Sequence, residues 1–492
     1  MENEILRLKP TAIWKHFYAL TQIPRPSGHM KEITDFIENF GKKLGLETLR
    51  DSADNICIRK PATPGYEDRQ TIILQSHLDM VPQANSDLNF DFTKDAIQPV
   101  VDGEWVKAKG TTLGADNGIG VAATMAVLEA KDIPHGPIEG LFTTDEETGM
   151  FGAIAIRPGF VNGKIMLNLD SEDDGELCIG CAGGADVSIQ YQYEDESWIP
   201  QEDVAVKVSL TGLKGGHSGV DINLGRGNAN KLLFRFLKDA MQQYDIRLSS
   251  FSGGTLRNAI PREAFATVVV DGKERYERIK EMVSGYEALY NAEFAGIEEG
   301  IRFKAEFIEI TPEMKLIPKA IQEKLTHAIV ACPNGVMSMV ASLPDVVETS
   351  TNMAIVTSGE GLAEIKFLAR SSSYSRKMEL TGAIESLFKV AGADFIETSN
   401  EYPGWDPNPQ SAILTVMEQA YEKQRGGEKP EIQVIHAGLE CGIILSNVPG
   451  LDTVSFGPTI MFPHSPDEKV KIDTVGKFWD YLLEILKEAP TN

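Results

Sequence analysis

The chain has 492 residues, enough for two or more domains around a large core, and its 42% hydrophobic content makes it globular rather than disordered. Lysine and arginine number 47 against 72 aspartates and glutamates, a formal net charge of −25. Such a surface repels phosphate backbones and anionic lipid, so nucleic acid and membrane surfaces are excluded as partners, while cations are attracted.

The first residues, MENEILRLKPTAIW, lack a basic start followed by an apolar core, and no run of about 18 apolar residues occurs. Neither a signal peptide nor a membrane span is expected. The five cysteines (Cys57, Cys178, Cys181, Cys332, Cys441) are sparse and odd in number, which fits a reducing cytoplasm. Cys178 and Cys181 form a CxxC in LCIGCAGG. No tryptophan precedes it and no second pair exists, so two small residues packed behind a strand are expected rather than a redox or structural zinc site.

In chain order, TAIWKHFYALTQIPRPSGHMKEITDFIENFGKKLG reads as two amphipathic helices split by a Pro-Arg-Pro-Ser-Gly turn. NICIRKPA and TIILQSHLDMV follow as β-rich runs, and GADNGIGVAATMAVLEAKD as a glycine-led helix with an apolar stripe. IEGLFTTDEET and KIMLNLDSED are short apolar runs that each end in acid. Apolar strands alternating with helices predict a sheet covered on both faces, an α/β arrangement. After about residue 185 the texture changes: DVSIQYQY, VAVKVSLTG, REAFATVVVDG, FKAEFIEI and AIVTSGEGLAEIKFLAR alternate apolar and polar, as half-solvated antiparallel strands do, with helical patterns between them. SNEYPGWDPNPQSA, near residue 400, reads as a linker. Beyond it come a helix, EIQVIHAG, TVSFGP and a closing helix. The expected organisation is a discontinuous α/β domain, 1–185 plus 401–492, with an α+β segment, 186–400, inserted.

The chemistry-bearing residues lie at strand ends: His77 and Asp79 in QSHLDMV, Asp116 in GADNG, Glu146 and Glu147 in DEETG, Asp170 in NLDSED, and His464 in FPHSPDE near the C-terminus. Ligands of open α/β sheets collect outside the carboxyl ends of strands. Clustered carboxylates resist burial as anions, and a proton or a cation relieves that. Two histidines and three carboxylates supply nitrogen and oxygen donors of the kind Zn²⁺ accepts. A bridging Asp116 would let two ions about 3.5–4 Å apart share a water. Glu147 would then be a ligand and its neighbour Glu146 a base facing the substrate. Each fragment alone has an ordinary explanation as a surface histidine, a solvated turn or a loop; only the set points to metal.

That set resembles the co-catalytic dizinc aminopeptidase and carboxypeptidase superfamily, and within it the aminoacyl-histidine dipeptidase branch. The resemblance spans essentially the whole chain, through TLGADNGIG, TTDEETGMFGA, LDSEDDGELCIGCAGG, GLKGGHSGVDI, NAIPREA and HAGLECGII. It implies a catalytic α/β domain (zinc-peptidase type, with a mixed central sheet flanked by helices) and an inserted α+β lid with an antiparallel sheet. It also implies two Zn²⁺, replaceable by Co²⁺ or Mn²⁺. His77 and Asp170 would hold one ion, Glu147 and His464 the other, and Asp116 both, with the Asp116–Asn117 peptide tending to be cis. Asp79 would orient His77. Glu146 would take a proton from the attacking water and pass it to the leaving amine. There is no departure from the family pattern at these seven positions.

The same resemblance gives His217 in GLKGGHSGVDI an oxyanion-assisting role, within one subunit or across a homodimer, and gives Asn258 in LRNAIPREA a substrate contact. Arg370 in FLARSSSYSRK is a candidate for gripping a substrate carboxylate, and Glu440 in HAGLECG for facing the substrate; His436 is either a contact or a structural histidine. The implied activity is hydrolysis of dipeptides, preferentially Xaa-His. An N-acyl amino-acid deacylase or a broader aminopeptidase would share the metal ligands, and a binding protein that kept the fold would be expected to have lost one of them. No G-x-S-x-G elbow or HExxH helix occurs, which disfavours serine and single-zinc proteolysis.

Overall fold

The computed structural model describes residues 4–197 and 202–492. The chain packs as two compact units, one comprising Met1–Gly180, Trp405–Val434 and Leu439–Asn492, the other Cys181–Gly404 and Ile435–Gly438.

In the first unit an eight-stranded sheet runs in the order Glu47–Arg50, Ile56–Lys60, Ile138–Thr143, Ile72–His77, Ile165–Asn168, Asp452–Ser455, Glu176–Cys181, Glu431–Ile435. The four neighbours from Ile138–Thr143 to Asp452–Ser455 are parallel. Antiparallel pairs flank them, so the sheet is mixed. Ile72–His77, Ile138–Thr143 and Ile165–Asn168 are buried at every residue, which explains their mostly apolar runs. Because the four strands share one direction, the loops after them leave from the same edge.

Helix Ala115–Glu129 carries the chain from Ile72–His77 to Ile138–Thr143 and is buried almost all round. Helix Thr11–Thr21 packs against it. The approach is close enough that a Cβ on Gly118 would stand 2.9 Å from the Phe17 ring. Helices Ala412–Gln424 and Ile472–Glu488 pack on one another. Cys178 and Cys181 are buried within the strand Glu176–Cys181, as expected.

A small second sheet escaped the sequence reading. Its order is Ile460–Met461, Lys469–Lys471, Trp105–Ala108, Pro99–Asp102, all antiparallel. Strands of two to four residues carry no readable alternation. This sheet clamps both ends of the loop that holds His464.

In the second unit the sheet has nine strands, and its register pairs are antiparallel throughout. Helices Ala229–Tyr244, Gly272–Glu293, Lys319–Ala331 and Tyr374–Val390 belong to it. Its core gathers Val206, Val208, Phe234, Phe236, Phe303, Phe367 and Phe388. The linker read at SNEYPGWDPNPQSA starts later than expected: Ser399–Tyr402 complete the strand Phe395–Tyr402. That strand lies at the sheet edge and is half solvated, so its polar sequence hid it.

Candidate metal centre

Three parallel strands deliver five of the expected residues. His77 ends Ile72–His77, with Asp79 two residues beyond; Glu146 and Glu147 follow Ile138–Thr143; Asp170 follows Ile165–Asn168. Asp116 comes from the start of helix Ala115–Glu129, and His464 from the loop between Ile460–Met461 and Lys469–Lys471. A cavity of about 370 Å³ is lined by His77, Asp116, Glu146, Glu147, Asp170 and His464, together with Glu172, Met150 and Leu439.

The ligand atoms form two groups that share Asp116. His77, Asp116 and Asp170 converge within 4.8 Å, as do Asp116, Glu147 and His464. The two oxygens of Asp116 divide between them: Oδ1 lies 3.0 Å from His77 Nε2, and Oδ2 lies 3.3 Å from His464 Nε2. Asp170 Oδ1 is 3.3 Å from His77 Nε2, and Glu147 Oε2 is 2.9 Å from His464 Nε2. His77, Glu146 and Glu147 make a third close group, which puts Glu146 beside the ligands. The Asp116–Asn117 peptide is cis, and the Asn117 amide donates to Asp170.

The titration of these groups exposes the imbalance of charge. Burial, the largest influence on the His77 imidazole, pulls its pKa down, yet Asp170, Asp116 and Asp79 outweigh it and hold it well above the ordinary value. Hydrogen bonds to Asp116 and Glu147 push His464 up to about 11. Asp116 is held low by the two histidines against the effect of its burial. Burial raises Glu146, Glu147 and Asp170, and neighbouring acids add to it. Without an ion, the histidines must serve as cations for too many carboxylates. Buried Glu147 Oε1 has no hydrogen-bond partner among the described residues. The donor set, the shared carboxylate and this orphaned oxygen fit two divalent cations.

Asp79 is wholly buried and works as a hub. Its Oδ1 lies 3.4 Å from His77 Nδ1 and accepts from Glu146 N at 3.0 Å; its Oδ2 accepts from Glu147 N at 3.2 Å and Ser27 Oγ at 2.8 Å. One carboxylate thus reaches the His77 ring and holds the turn that presents Glu146 and Glu147. Glu440 is also buried: its Oε2 accepts from Gln75 Nε2 and Thr143 Oγ1, both at 2.7 Å, and Leu439 rather than Glu440 lines the cavity.

The sequence reading missed two participants. Arg25, in the Pro-Arg-Pro-Ser-Gly turn, and Glu468, four residues after His464, are each 2% exposed, and both hold the backbone around Asp116. Neither PRPSG nor PHSPDE carries a sequence signal that its charged residue is buried.

In the second unit, His217 and Ala259 pair in a two-stranded ribbon that sets Asn258 O to accept from Ser218 N at 2.8 Å. Gly219 N and Val220 N donate to His217 Nδ1 at 3.2 and 3.1 Å. Two N–H donors make Nδ1 the acceptor, so the ring proton sits on Nε2. Burial, reinforced by Arg370, lowers this pKa and keeps the ring neutral. Arg370 is 4% exposed rather than a surface side chain; it donates to Tyr402 Oη at 3.0 Å, and its Nε has no hydrogen-bond partner among the described residues. His436 Nε2 lies 2.7 Å from Ser350 Oγ, and burial with Arg370 depresses it to about 3.

Among known proteins, the profile of peptidase family M20/M25/M40 matches residues 73–488. The cytosol non-specific dipeptidase of Escherichia coli is 44% identical over 490 residues, all of both chains. The crystal structure of aminoacylhistidine dipeptidase from Vibrio alginolyticus superposes with a TM-score of 0.94 at 46% identity, covering 100% of this chain and 99% of that one. Aminopeptidase PepT from Bacillus cereus shares the fold, with a TM-score of 0.56 at 18% identity over 98% of this chain and 99% of its own. With a family match of that extent and a full-length relative at that identity, the chain belongs to peptidase family M20/M25/M40.

Proposed function

We propose that this protein is a dinuclear metal-dependent dipeptidase of the cytosol, cleaving free dipeptides with Xaa-His among its preferred substrates. The observation that carries the reading is Asp116, whose two oxygens face two separate ligand groups beside Glu146. The names of the full-length relatives, a non-specific dipeptidase and an aminoacylhistidine dipeptidase, support dipeptides as the substrate class.

His77 and Asp170 would hold one Zn²⁺, Glu147 and His464 the second, and Asp116 both; Co²⁺ or Mn²⁺ would suit the same donors. Bound ions would supply Lewis acidity, acidifying a water and polarising the scissile carbonyl. Glu146 takes the proton of the attacking water and delivers it to the leaving amine nitrogen. Asp79 keeps His77 in one tautomer and orientation. The Nε2–H of His217 is assigned as donor to the developing oxyanion, and Arg370 and Asn258 as contacts to the rest of the dipeptide.

The test is a substrate panel with metal-stripped and reconstituted protein. Xaa-His and other dipeptides should be hydrolysed only after divalent metal is restored, and N-acetylated amino acids should not. Hydrolysis indifferent to chelator, or a preference for N-acyl amino acids, would overturn the reading.

A further inference from the structure

Asp116 is the shared ligand of the proposed centre, yet its backbone departs from helical geometry (φ −78°, ψ 109°) at the start of helix Ala115–Glu129. What holds it there is a pair of buried, oppositely charged side chains. Glu468 accepts four backbone N–H bonds: Leu113 at 2.6 Å and Gly114 at 2.9 Å on Oε2, Ala115 at 2.7 Å and Asp116 at 3.2 Å on Oε1. These are orphan donors at the start of helix Ala115–Glu129, where a carboxylate is also favoured by the helix dipole. From the other side Arg25 Nη2 donates to Gly114 O, while its Nη1 donates to Leu78 O at 2.9 Å and Asp79 O at 3.1 Å. Arg25 therefore ties the peptide before Asp116 to the segment that follows His77. Gly114, at φ +70°, leaves no room for a Cβ beside the Arg25 guanidinium and Met80 sulfur.

The placement of Glu468 adds a second link. It shares a loop with His464, whose Nε2 reaches Asp116 Oδ2 at 3.3 Å. One loop thus grips Asp116 twice, by side chain and by backbone, and that loop is clamped at both ends by the small sheet. Glu139 offers a contrast within the same unit. It is 3% exposed and accepts from Asn162 N, Gly163 N and Arg59 Nε at 2.7, 2.9 and 2.9 Å, but it lies at the opposite end of its strand from Glu146.

We propose that Glu468 and Arg25 are positioning residues that fix the carboxylate of Asp116 between the two ligand groups, so that both ions depend on them although neither side chain touches metal. The inference rests on the dinuclear reading above. In Glu468→Gln an amide NH₂ would face two backbone N–H groups that now find an oxygen, and the loop must shift.

The experiment is calorimetric titration of Zn²⁺ into the chelator-stripped full chain, with circular dichroism and melting of the metal-free protein as the control for folding. Wild type should take up two ions. Glu468→Gln should weaken both sites at least tenfold, in line with the about 10–100-fold losses seen when groups behind metal ligands are changed. Arg25→Lys should act the same way, and it carries the test if Glu468→Gln does not fold. Glu139→Gln should lower the melting temperature with both Zn²⁺ affinities unchanged. If Glu468→Gln and Arg25→Lys melt lower but bind two ions as tightly as wild type, the residues are merely structural and the proposal fails alone. A loss confined to one site would overturn the shared-ligand claim. A wild-type chain that takes up no ion would overturn this proposal together with the dinuclear reading.

Discussion

The two histidines of the candidate metal centre and the two beside Arg370 titrate in opposite directions. In the first unit His77 and His464 are raised, His464 to about 11, because Asp116, Asp170 and Glu147 surround them. In the second unit burial and Arg370 lower His217 and His436, the latter to about 3. The same side chain is made a cation in one place and kept neutral in the other, and the neighbours decide which. The fold sets those neighbours. Parallel strands release their carboxyl ends at one edge, where acids from separate loops accumulate and call for positive charge. The antiparallel sheet brings together a guanidinium, a phenol and neutral rings, a set suited to donating hydrogen bonds to an anionic group.

The contrast can be broken from either side. The largest effect is expected from Glu146→Ala, which should cut kcat by about 10²–10⁴-fold, the range for a general base, while two ions remain bound; wild-type turnover would remove Glu146 from the mechanism. Next is His217→Ala, with a fall in kcat of about 10²–10³-fold at unchanged metal content, as for loss of an oxyanion donor. An unaltered kcat would leave His217 with a local structural role only. Asp79→Asn should weaken metal binding by about 10–100-fold, because its new NH₂ group must face the N–H of Glu146 or Glu147 or the His77 ring. Equal affinity in the variant would show that His77 needs no such support.

The smallest effect sharpens the other half of the comparison. The folded-state pKa of His436 lies below the ordinary value of 6.5, so between pH 6.5 and about 3 the unfolded chain binds a proton that the folded chain refuses. His436 therefore costs stability progressively as pH falls through that window and has no such effect above it. In melting curves, His436→Gln should gain on wild type as the pH drops from 7 to 4. A constant gap between the two across that range would mean the ring titrates normally.

Much of the site could be read from the chain because its residues follow strongly patterned elements. His77, Glu146, Glu147 and Asp170 each stand at or just beyond the end of an apolar run, and Asp116 opens a glycine-led helix, so the structure gathers residues that the strand ends already advertised. Arg25 was hidden because Pro-Arg-Pro-Ser-Gly reads as a turn, and turn residues give no hint that a guanidinium folds inward. Glu468 was hidden because its partners are backbone N–H groups, which leave no sequence signature. The strands Pro99–Asp102, Trp105–Ala108, Ile460–Met461 and Lys469–Lys471 are too short for periodicity, and their pairing joins segments some 360 residues apart. His436 lies in a four-residue stretch, Ile435–Gly438, that packs with the second unit while the chain on both sides belongs to the first; nothing local in the sequence marks such an excursion.

The proposed chemistry depends on Asp116 serving two cations at once. The direct test is elemental analysis of dialysed protein after chelation and reloading with Zn²⁺, for wild type and a folded Asp116→Asn variant. Two ions per chain in wild type and loss of both in the variant are expected. One ion or none in wild type, or two ions retained by the variant, would contradict the account.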